Sequence, residues 1–110
     1  MNVSIVIRTL NEAEHLPALM EAIAREDYSG GRIEKVVVDS GSTDGTLDIA
    51  VAHGAKIIHI DRHEFSFGRS LNRGCAAATG DALVIVSGHC VPAGNDWIAK
   101  LVAPLRDQIP

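Results

Sequence analysis

The sequence predicts an α/β domain in which about four mainly parallel strands carry helices on both faces. Short apolar runs rich in β-branched residues alternate along the chain with segments of helical spacing, and short connections join them. Consecutive βαβ units have this pattern. Polar residues follow the apolar runs at their carboxyl ends, where open parallel sheets bind ligands. The 110 residues, of which 46% are hydrophobic and 22% charged, suffice for one domain with one core.

The first predicted unit is a strand over residues 3–7 followed by a helix. Asn11 is expected to cap this helix, because Glu14 stands three residues later at the spacing of a capping box. Pro17 falls inside the helical pattern. Since proline is accepted in a first turn and not deeper, it predicts a short turn before it or a kink at it. The expected apolar stripe of the helix consists of Leu16, Leu19, Met20 and Ile23.

The second and third predicted strands flank a turn and a helix. Residues 33–38 form the second strand, a helix begins after Gly45, and residues 55–60 form the third strand. The helix is expected to end near His53 and Gly54, since glycine commonly follows the last turn of a helix. This strand-helix-strand order is the strongest fold signal in the chain and predicts parallel pairing.

The last part of the chain predicts a loop, a helix, a strand and a final helix. Residues 61–68 are polar and aromatic without period and are expected to form a loop, while residues 69–79 predict a helix that closes at Gly80. Residues 82–86 form the most apolar strand, which is therefore expected at the centre of the sheet. A last helix is expected over residues 95–106. Close packing of the earlier helix on the sheet is expected from its small residues Cys75, Ala76, Ala77 and Ala78.

Composition and charge argue against several partners. The net charge of −4 is spread without a basic stripe, which argues against nucleic acid and against an electrostatic membrane anchor. No apolar run approaches the ~20 residues of a membrane span and no leader pattern precedes the first strand, so a cytoplasmic chain is expected. Cys75 and Cys90 are too widely spaced for a C-x-x-C site and too few for a disulfide framework. Both are expected as buried thiols.

Polar side chains follow three of the predicted strands and should meet at one edge of the sheet. Within residues 36–46, an apolar run ends at Asp39, a turn that contains Ser42 follows it, and a predicted helix comes next. A carboxylate at that place can accept hydrogen bonds from a sugar or a base, and the free N–H groups of a helix N-terminus favour anions. The alternative is that Asp39 and Ser42 only cap the helix. The full set is Thr9, Asn11, Glu12, Asp39, Ser40, Ser42, Ser87 and His89.

The chain resembles the family 2 glycosyltransferases, whose nucleotide-sugar-binding half has the Rossmann-like GT-A fold. The resemblance rests on residues 3–12, residues 36–46, and residues 68–74 with 78–81, and it covers nearly the whole chain. It implies an inverting transfer of a sugar from a nucleoside-diphosphate donor to an unknown acceptor. A complete member continues into an acceptor-binding half that supplies the catalytic base. Residues 1–110 are therefore expected to be a single donor-binding domain that is truncated before that half.

The resemblance also assigns residues to the nucleotide. Thr9 and Asn11 would line the nucleoside pocket, and Asp39 would accept hydrogen bonds from the base, with Glu12 assisting. Ser42 would lie close by as a cap and loop-shaping group, as would Asp44. The implied nucleotide-binding residues are Thr9, Asn11, Glu12, Asp39, Ser42, Arg69 and Arg73.

The third motif departs from the family pattern. Members of the family usually have an arginine that approaches the nucleotide, at the position where this chain has Leu71. Leucine cannot make that contact. Arg69 or Arg73 is the expected substitute, and the sequence does not decide between them.

The metal motif departs further. In the family the fourth strand ends in Asp-x-Asp, which holds Mg²⁺ or Mn²⁺ against the donor diphosphate. Here the position reads Ser87-Gly88-His89. Because imidazole suits Mn²⁺ better than Mg²⁺, His89 is the stronger candidate ligand and the Ser87 hydroxyl the weaker one. A histidine at a strand end is otherwise commonly just a loop residue.

A second metal pattern occurs in His59-x-Asp61-x-His63. Alternation along a strand would place the three side chains on one face. The apolar strand ends at Ile60, however, so solvation of an edge strand is the favoured interpretation.

Two functions from different classes follow. The first is a glycosyltransferase whose donor-binding half is this chain, and the second is a non-catalytic nucleotide-binding module. The strand-end motifs at Thr9 and Asp39 favour the first, and the altered Ser87-Gly88-His89 favours the second. A homodimer is also predicted, because a sheet without its second half would leave an edge strand and an apolar face uncovered.

Overall fold

A computed structural model describes residues 2–26, 28, 30–61 and 67–88. The elements in this part of the chain are β1 Val3–Thr9, α1 Leu16–Ala24, β2 Ile33–Asp39, α2 Thr46–Ala52, β3 Lys56–His59, α3 Phe67–Ala77 and β4 Ala82–Ser87. The strand order is β3-β2-β1-β4, and every pair is parallel. The predicted fold class, an α/β domain on a parallel sheet, is confirmed.

The two faces of the sheet are covered by different helices. Ile5 and Ile7 of β1 pack with the buried stripe of α1 and with Ala50 of α2. Val6 lies between them and packs on the opposite face, because successive side chains of a strand alternate in direction. Ala77 of α3 covers that face. Coverage on both faces explains why apolar residues occur on both sides of β1.

The strand β4 lies at one end of the described strand order. It pairs with β1, and the strands with a neighbour on each side are β1 and β2. On the face opposite α1, Leu83 and Ile85 are 42% and 43% exposed. Within the described residues, β4 is therefore not the central strand that the sequence predicts. Apolar content alone does not distinguish a strand with two neighbours from one whose outer residues are only half covered.

The helix α1 begins later than its sequence signals indicate. The prediction that Asn11 caps it is wrong, because His15 occupies the N-cap position, without a side-chain cap hydrogen bond. Residues 13–15 form a turn, and Pro17 lies at the start of the helix, where its missing N–H costs little. The predicted short turn before Pro17 is confirmed. Asn11 has a φ of 53° and bonds to the loop after β2 instead.

The helix α3 approaches the sheet through a glycine. A Cβ atom at Gly74 would lie 2.3 Å from Cγ1 of Val6, so only glycine allows this distance between helix and strand. The predicted close packing is confirmed for two of its four residues. Ala77 and Ala78 pack against the sheet, whereas Ala76 is exposed, and Cys75 is half-buried rather than buried as predicted.

The end of α3 is attached to the amino edge of the sheet. Thr79 donates to the Glu34 carboxylate from its N–H at 2.9 Å and from its hydroxyl at 3.0 Å. The N–H of Gly80 donates to the hydroxyl of Ser4 at 2.8 Å. Both acceptors lie near the starts of their strands. The helix α3 therefore runs antiparallel to the strands and begins towards their carboxyl ends.

Several predictions concern residues outside the described ranges. These are the loop residues 62–66 with His63, the residues His89 and Cys90, and the helix over 95–106. Phe67 and Gly68 were predicted as loop and belong to α3. Among the described helices, none combines the length and the apolar character that a membrane crossing needs.

Candidate functional site

The carboxyl ends of β1, β2 and β4 lie side by side. The parallel register pairs Thr9 with Asp39 and Arg8 with Ser87. The N–H of Gly88 donates to the Arg8 carbonyl at 3.0 Å and continues this pairing one residue past β4. The Thr9 hydroxyl donates to Oδ1 of Asp39 at 2.7 Å in the protein interior. The polar residues that end these three strands thus share one edge of the sheet.

Asp39 is the hub of this edge. The residue is 1% exposed, and its Oδ1 accepts the hydroxyls of Thr9 and Ser42. Its Oδ2 accepts the N–H groups of Gly41 at 3.0 Å and Ser42 at 2.8 Å. Burial by itself raises the pKa of Asp39, but the hydrogen bonds, led by those from Ser42, hold that pKa below its ordinary value. Asp39 is therefore ionised, and the donors fill the four lone-pair sites that a carboxylate offers.

Asp39 and Ser42 do not cap α2. The N-cap position of that helix is Gly45, with a φ of 94° and no side-chain cap hydrogen bond. The N–H of Thr46 donates to Oδ1 of Asp44 at 3.1 Å. The alternative that Asp39 and Ser42 only cap the helix is therefore wrong, because their bonds join the loop after β2 to itself and to β1.

Asn11 and Ser42 join the loop after β1 to the loop after β2. The N–H of Asn11 donates to Oγ of Ser42 at 2.8 Å, and the N–H of Thr43 donates to Oδ1 of Asn11 at 2.8 Å. Both bonds require Asn11 to adopt its positive φ, a conformation in which asparagine is several-fold enriched. Asn11 thus contributes its backbone and its side chain to the contact between the loops.

Thr46 and Asp44 form the second connection between these loops. The N–H of Glu12 donates to Oγ1 of Thr46 at 2.9 Å, and the N–H of Ala13 donates to Oδ2 of Asp44 at 3.1 Å. The Thr46 hydroxyl in turn donates to Oδ1 of Asp44. This hydrogen bond is the main cause that lowers the pKa of Asp44. The loops after β1 and β2 therefore act as one hydrogen-bonded unit.

The side chain of Glu12 lies against the end of β4. A Cβ atom at Gly88 would lie 2.8 Å from Cγ of Glu12 and 3.1 Å from Cγ2 of Thr9. Only glycine therefore lets β4 end so close to the loop after β1. Glu12 and Ser87, both half-buried, reach the same part of the edge.

Arg69 and Arg73 lie on the exposed surface of α3. Since α3 begins towards the carboxyl edge, Arg69 lies closer to that edge than Arg73 by one helical turn, about 5.4 Å. Gly74, which touches Val6, marks the level of the middle of β1. The structure thus separates two arginines that the sequence left equivalent.

The predicted metal ligands are only partly within the described residues. Ser87 stands at the end of β4, whereas His89 lies outside. In the second metal pattern, His59 is exposed on β3, Asp61 is exposed after it, and His63 lies outside. Within residues 2–26, 28, 30–61 and 67–88, no three His, Cys, Asp or Glu side chains are close enough to hold a metal ion.

Two residues of this edge were not predicted by the sequence. Thr46 is fully buried and connects two loops, yet on its own it has the pattern of an ordinary first helical residue. Gly88 was noticed only as the middle of a metal motif, and its contact with Glu12 depends on strand order. The one signal in the sequence is a threonine directly after Asp-Gly, and its burial is seen only in the structure.

A parallel α/β sheet with polar groups at the carboxyl ends of neighbouring strands is the arrangement in which such sheets bind nucleotides. The profile of the family "Glycosyl transferase family 2" matches residues 4–108 of this chain. The chain belongs to that family.

Two named relatives support this assignment. The chain is 38% identical over 112 residues to a PGL/p-HBAD biosynthesis glycosyltransferase of Mycobacterium bovis, and the match covers 97% of this chain and 43% of the relative. It is 34% identical over 110 residues to the glucosyl-3-phosphoglycerate synthase of Mycolicibacterium smegmatis, with 94% and 36% covered. The chain thus spans less than half the length of these relatives.

A solved structure supports the fold. The glucosyl-3-phosphoglycerate synthase of Mycobacterium tuberculosis, in complex with Mn²⁺, UDP and glucosyl-3-phosphoglycerate, superposes with a TM-score of 0.78 at 29% sequence identity. The superposition covers 94% of this chain and 39% of that chain. The GT-A assignment that the resemblance implied is confirmed.

Proposed function

We propose that this chain is the donor-binding half of an inverting glycosyltransferase that uses a UDP-sugar. The observation that carries the proposal is the hydrogen-bonded unit around Asp39, which lies at the ligand-binding edge of a family 2 domain. The similar synthase crystallised with UDP and Mn²⁺ supports uracil as the base. One relative is named for PGL/p-HBAD biosynthesis and another for glucosyl-3-phosphoglycerate, so the proposal names no acceptor.

In this proposal, Asp39 accepts a hydrogen bond from the base. Because its four lone-pair sites are filled, a base N–H has to replace one present donor. The Ser42 hydroxyl is the donor best suited to leave, since it can rotate about one bond while the Ser42 N–H keeps its place. Thr9 and Asn11 would then border the nucleoside, and Glu12 would accept hydrogen bonds from the ribose.

The diphosphate would lie between β4 and the start of α3. Arg69 lies nearer to this edge than Arg73, and its guanidinium offers paired donors that match phosphate oxygens. We assign Arg69 to the diphosphate for this reason. Arg73 then contributes charge from one turn farther away.

A divalent cation is part of the proposal. Ser87 and His89 would hold it, and the side chain of Glu12 lies against Gly88, the residue between them in the sequence. When bound, Mn²⁺ or Mg²⁺ offsets the charge that builds on the leaving diphosphate. The acceptor-binding half and the base that deprotonates the acceptor belong to the length of the relatives that this chain does not span.

A nucleotide-binding module without transferase activity is the second candidate. Ser87-Gly88-His89 favours it, because a hydroxyl and an imidazole replace two hard carboxylate ligands. Both candidates require nucleotide binding, and they differ in whether the sugar is released from the nucleotide.

Nucleotide binding is tested by thermal shift with UDP, dTDP and GDP, each with Mn²⁺ or with chelator. A nucleotide at about 100 times its dissociation constant stabilises the fold by ~2.7 kcal/mol. We expect UDP to give the largest shift, and the chelator to reduce it. No shift with any nucleotide would overturn both candidates.

The two candidates are separated by following UDP release from a labelled UDP-sugar. Sustained release above that of a His89→Ala variant supports the transferase. Binding of UDP without release by a longer chain that includes the acceptor-binding half supports the module.

The homodimer also stays a prediction, and the exposure of Leu83 and Ile85 on β4 supports it. Light scattering over a tenfold concentration range tests it, and a monomeric mass throughout would contradict it. The cytoplasmic location stays a prediction too.

A further inference from the structure

Thr46 is a fully buried polar residue that bonds to both loops at the carboxyl edge. Its Oγ1 accepts the N–H of Glu12 at 2.9 Å and donates to Oδ1 of Asp44. Oδ2 of Asp44 accepts the next N–H, that of Ala13, at 3.1 Å. One hydroxyl and one carboxylate thus hold two consecutive backbone groups of the loop after β1.

Glu12 is restrained from two directions by this arrangement. Thr46 holds its backbone N–H, and the end of β4 touches its side chain, since a Cβ atom at Gly88 would lie 2.8 Å from Cγ of Glu12. The sequence separation of Glu12 and Thr46 is 34 residues. The direction of the Glu12 side chain is therefore set by residues from the ends of two other strands.

We propose that Thr46 is a positioning residue of the donor site and that it acts through Glu12. The proposal rests on the proposed function, in which Glu12 accepts hydrogen bonds from the ribose of the nucleotide. A carboxylate binds a diol well only when its orientation is set before the ligand arrives, because ordering a glutamate on binding costs side-chain entropy. Thr46 removes part of that cost.

Three variants separate positioning from general stability. Thr46→Val keeps the shape of the side chain and removes the hydroxyl, so the N–H of Glu12 loses its acceptor. Thr46→Ser keeps the hydroxyl and should therefore keep the hydrogen bond to Glu12 and the wild-type affinity for UDP. Thr43→Val is the matched control, because it makes the same chemical change in the same loop at an exposed residue that joins the loops through its backbone N–H.

The first measurement is UDP binding by calorimetry, together with hydrogen exchange of the Glu12 amide. We expect Thr46→Val to weaken UDP binding about tenfold, the effect of one lost hydrogen bond, and to speed exchange at Glu12. Thr46→Ser and Thr43→Val should bind UDP like the wild-type chain. If Thr46→Val does not fold, Thr46→Ala, which also removes the hydroxyl that accepts the Glu12 N–H, takes its place.

A double-mutant cycle with Glu12→Ala then tests whether Thr46 acts through Glu12. If Thr46 acts through Glu12, Thr46→Val costs no further affinity in the Glu12→Ala background. An equal loss in both backgrounds overturns the proposal, as does unchanged UDP affinity of Thr46→Val alone. If the wild-type chain binds no nucleotide, the proposed function fails and takes this inference with it, so the two failures are distinguishable.

Discussion

Two carboxylates of β2 stand at opposite edges of the sheet, and each bonds to the hydroxyl of its register partner on β1. Ser4 donates to Glu34 at 2.8 Å, and Thr9 donates to Asp39 at 2.7 Å. Their remaining partners differ. Glu34 also accepts two hydrogen bonds from Thr79, which is 45 residues away, whereas Asp39 accepts the N–H groups of the loop that follows it.

The comparison shows that the same kind of hydroxyl–carboxylate hydrogen bond serves a different purpose at each edge. At the amino edge, Glu34 joins the segment after α3 to the start of β2, and a pocket of about 270 Å³ beside it is lined by residues of the same contact. At the carboxyl edge, Asp39 shapes a loop whose outer residues join the loop after β1. A concave surface thus accompanies the anchoring contact at the amino edge, while the bonds of Asp39 join two loops at the carboxyl edge.

The largest expected effect is that of Asp39→Asn compared with Glu34→Gln. The amide turns a donor towards groups that are donors themselves, and hydrogen bonds to a buried charge are the strong ones, so Asp39→Asn should lower the free energy of unfolding by about 3 kcal/mol and abolish UDP binding. Glu34 is partly exposed, so its variant should lose about 1 kcal/mol and keep UDP binding. Urea unfolding at pH 7 and calorimetry measure both. Equal losses in the two variants would contradict the distinction between the edges.

Gly80→Ala should cost about 2 kcal/mol, because a Cβ atom there meets the backbone and overpacks it. The nearest atom would be the Ser4 nitrogen at 2.6 Å, which cannot rotate away. UDP affinity should not change, since Gly80 belongs to the amino edge. Gly68→Ala is the control, because its Cβ atom would meet nothing within 4 Å. Thermal unfolding checks the pair, and a Gly80→Ala chain as stable as the control would count against the close contact.

Acid should weaken the fold through both edges. The pKa values of Asp39 and Glu34 are lowered from ordinary values of 3.8 and 4.5. A lowered pKa means that the folded state favours the ionised form, so the contribution is complete above these ordinary values and is lost as the pH falls through the lower folded values. Urea midpoints between pH 6 and pH 2 should fall, and less steeply in Glu34→Gln than in the wild-type chain. If the urea midpoint of Glu34→Gln fell with pH as steeply as that of the wild-type chain, the contribution of Glu34 to the acid sensitivity would be contradicted.

Gly88→Ala should have the smallest effect on stability. Its Cβ atom would meet Cγ of Glu12 at 2.8 Å and the backbone oxygen of Arg8 at 3.2 Å. Because the Glu12 side chain can turn away and the Arg8 oxygen is approached less closely than the Ser4 nitrogen is at Gly80, the loss should stay below that of Gly80→Ala, at about 1 kcal/mol. The displaced Glu12 should nevertheless weaken UDP binding several-fold. Calorimetry beside thermal unfolding separates the two effects. A Gly88→Ala chain that lost as much stability as Gly80→Ala and bound UDP with unchanged affinity would contradict the distinction between the two edges.

Much of the fold could be predicted because it depends on local patterns. The apolar runs of β1 and β2 and the glycine after α2 locate those elements within a few residues. The cap of α1 could not be predicted, since Asn11 fits a capping box equally well as a loop contact. Its actual partner, Thr43, lies 32 residues away. The half-burial of Cys75 could not be predicted either, because it depends on how closely α3 approaches the sheet at Gly74.

The sequence by itself determined that strands and helices alternate, that the strands are parallel, and that Thr9 and Asp39 follow strands whose carboxyl ends share one edge of the sheet. These properties follow from periodicity and turn chemistry, which act over a few residues. The tertiary structure alone decided that β4 lies outside β1, that the donors around Asp39 fill its lone-pair sites, and that Thr46 holds Glu12. Those outcomes depend on which distant segments meet, and a hydrogen bond has no energy until both partners are in place.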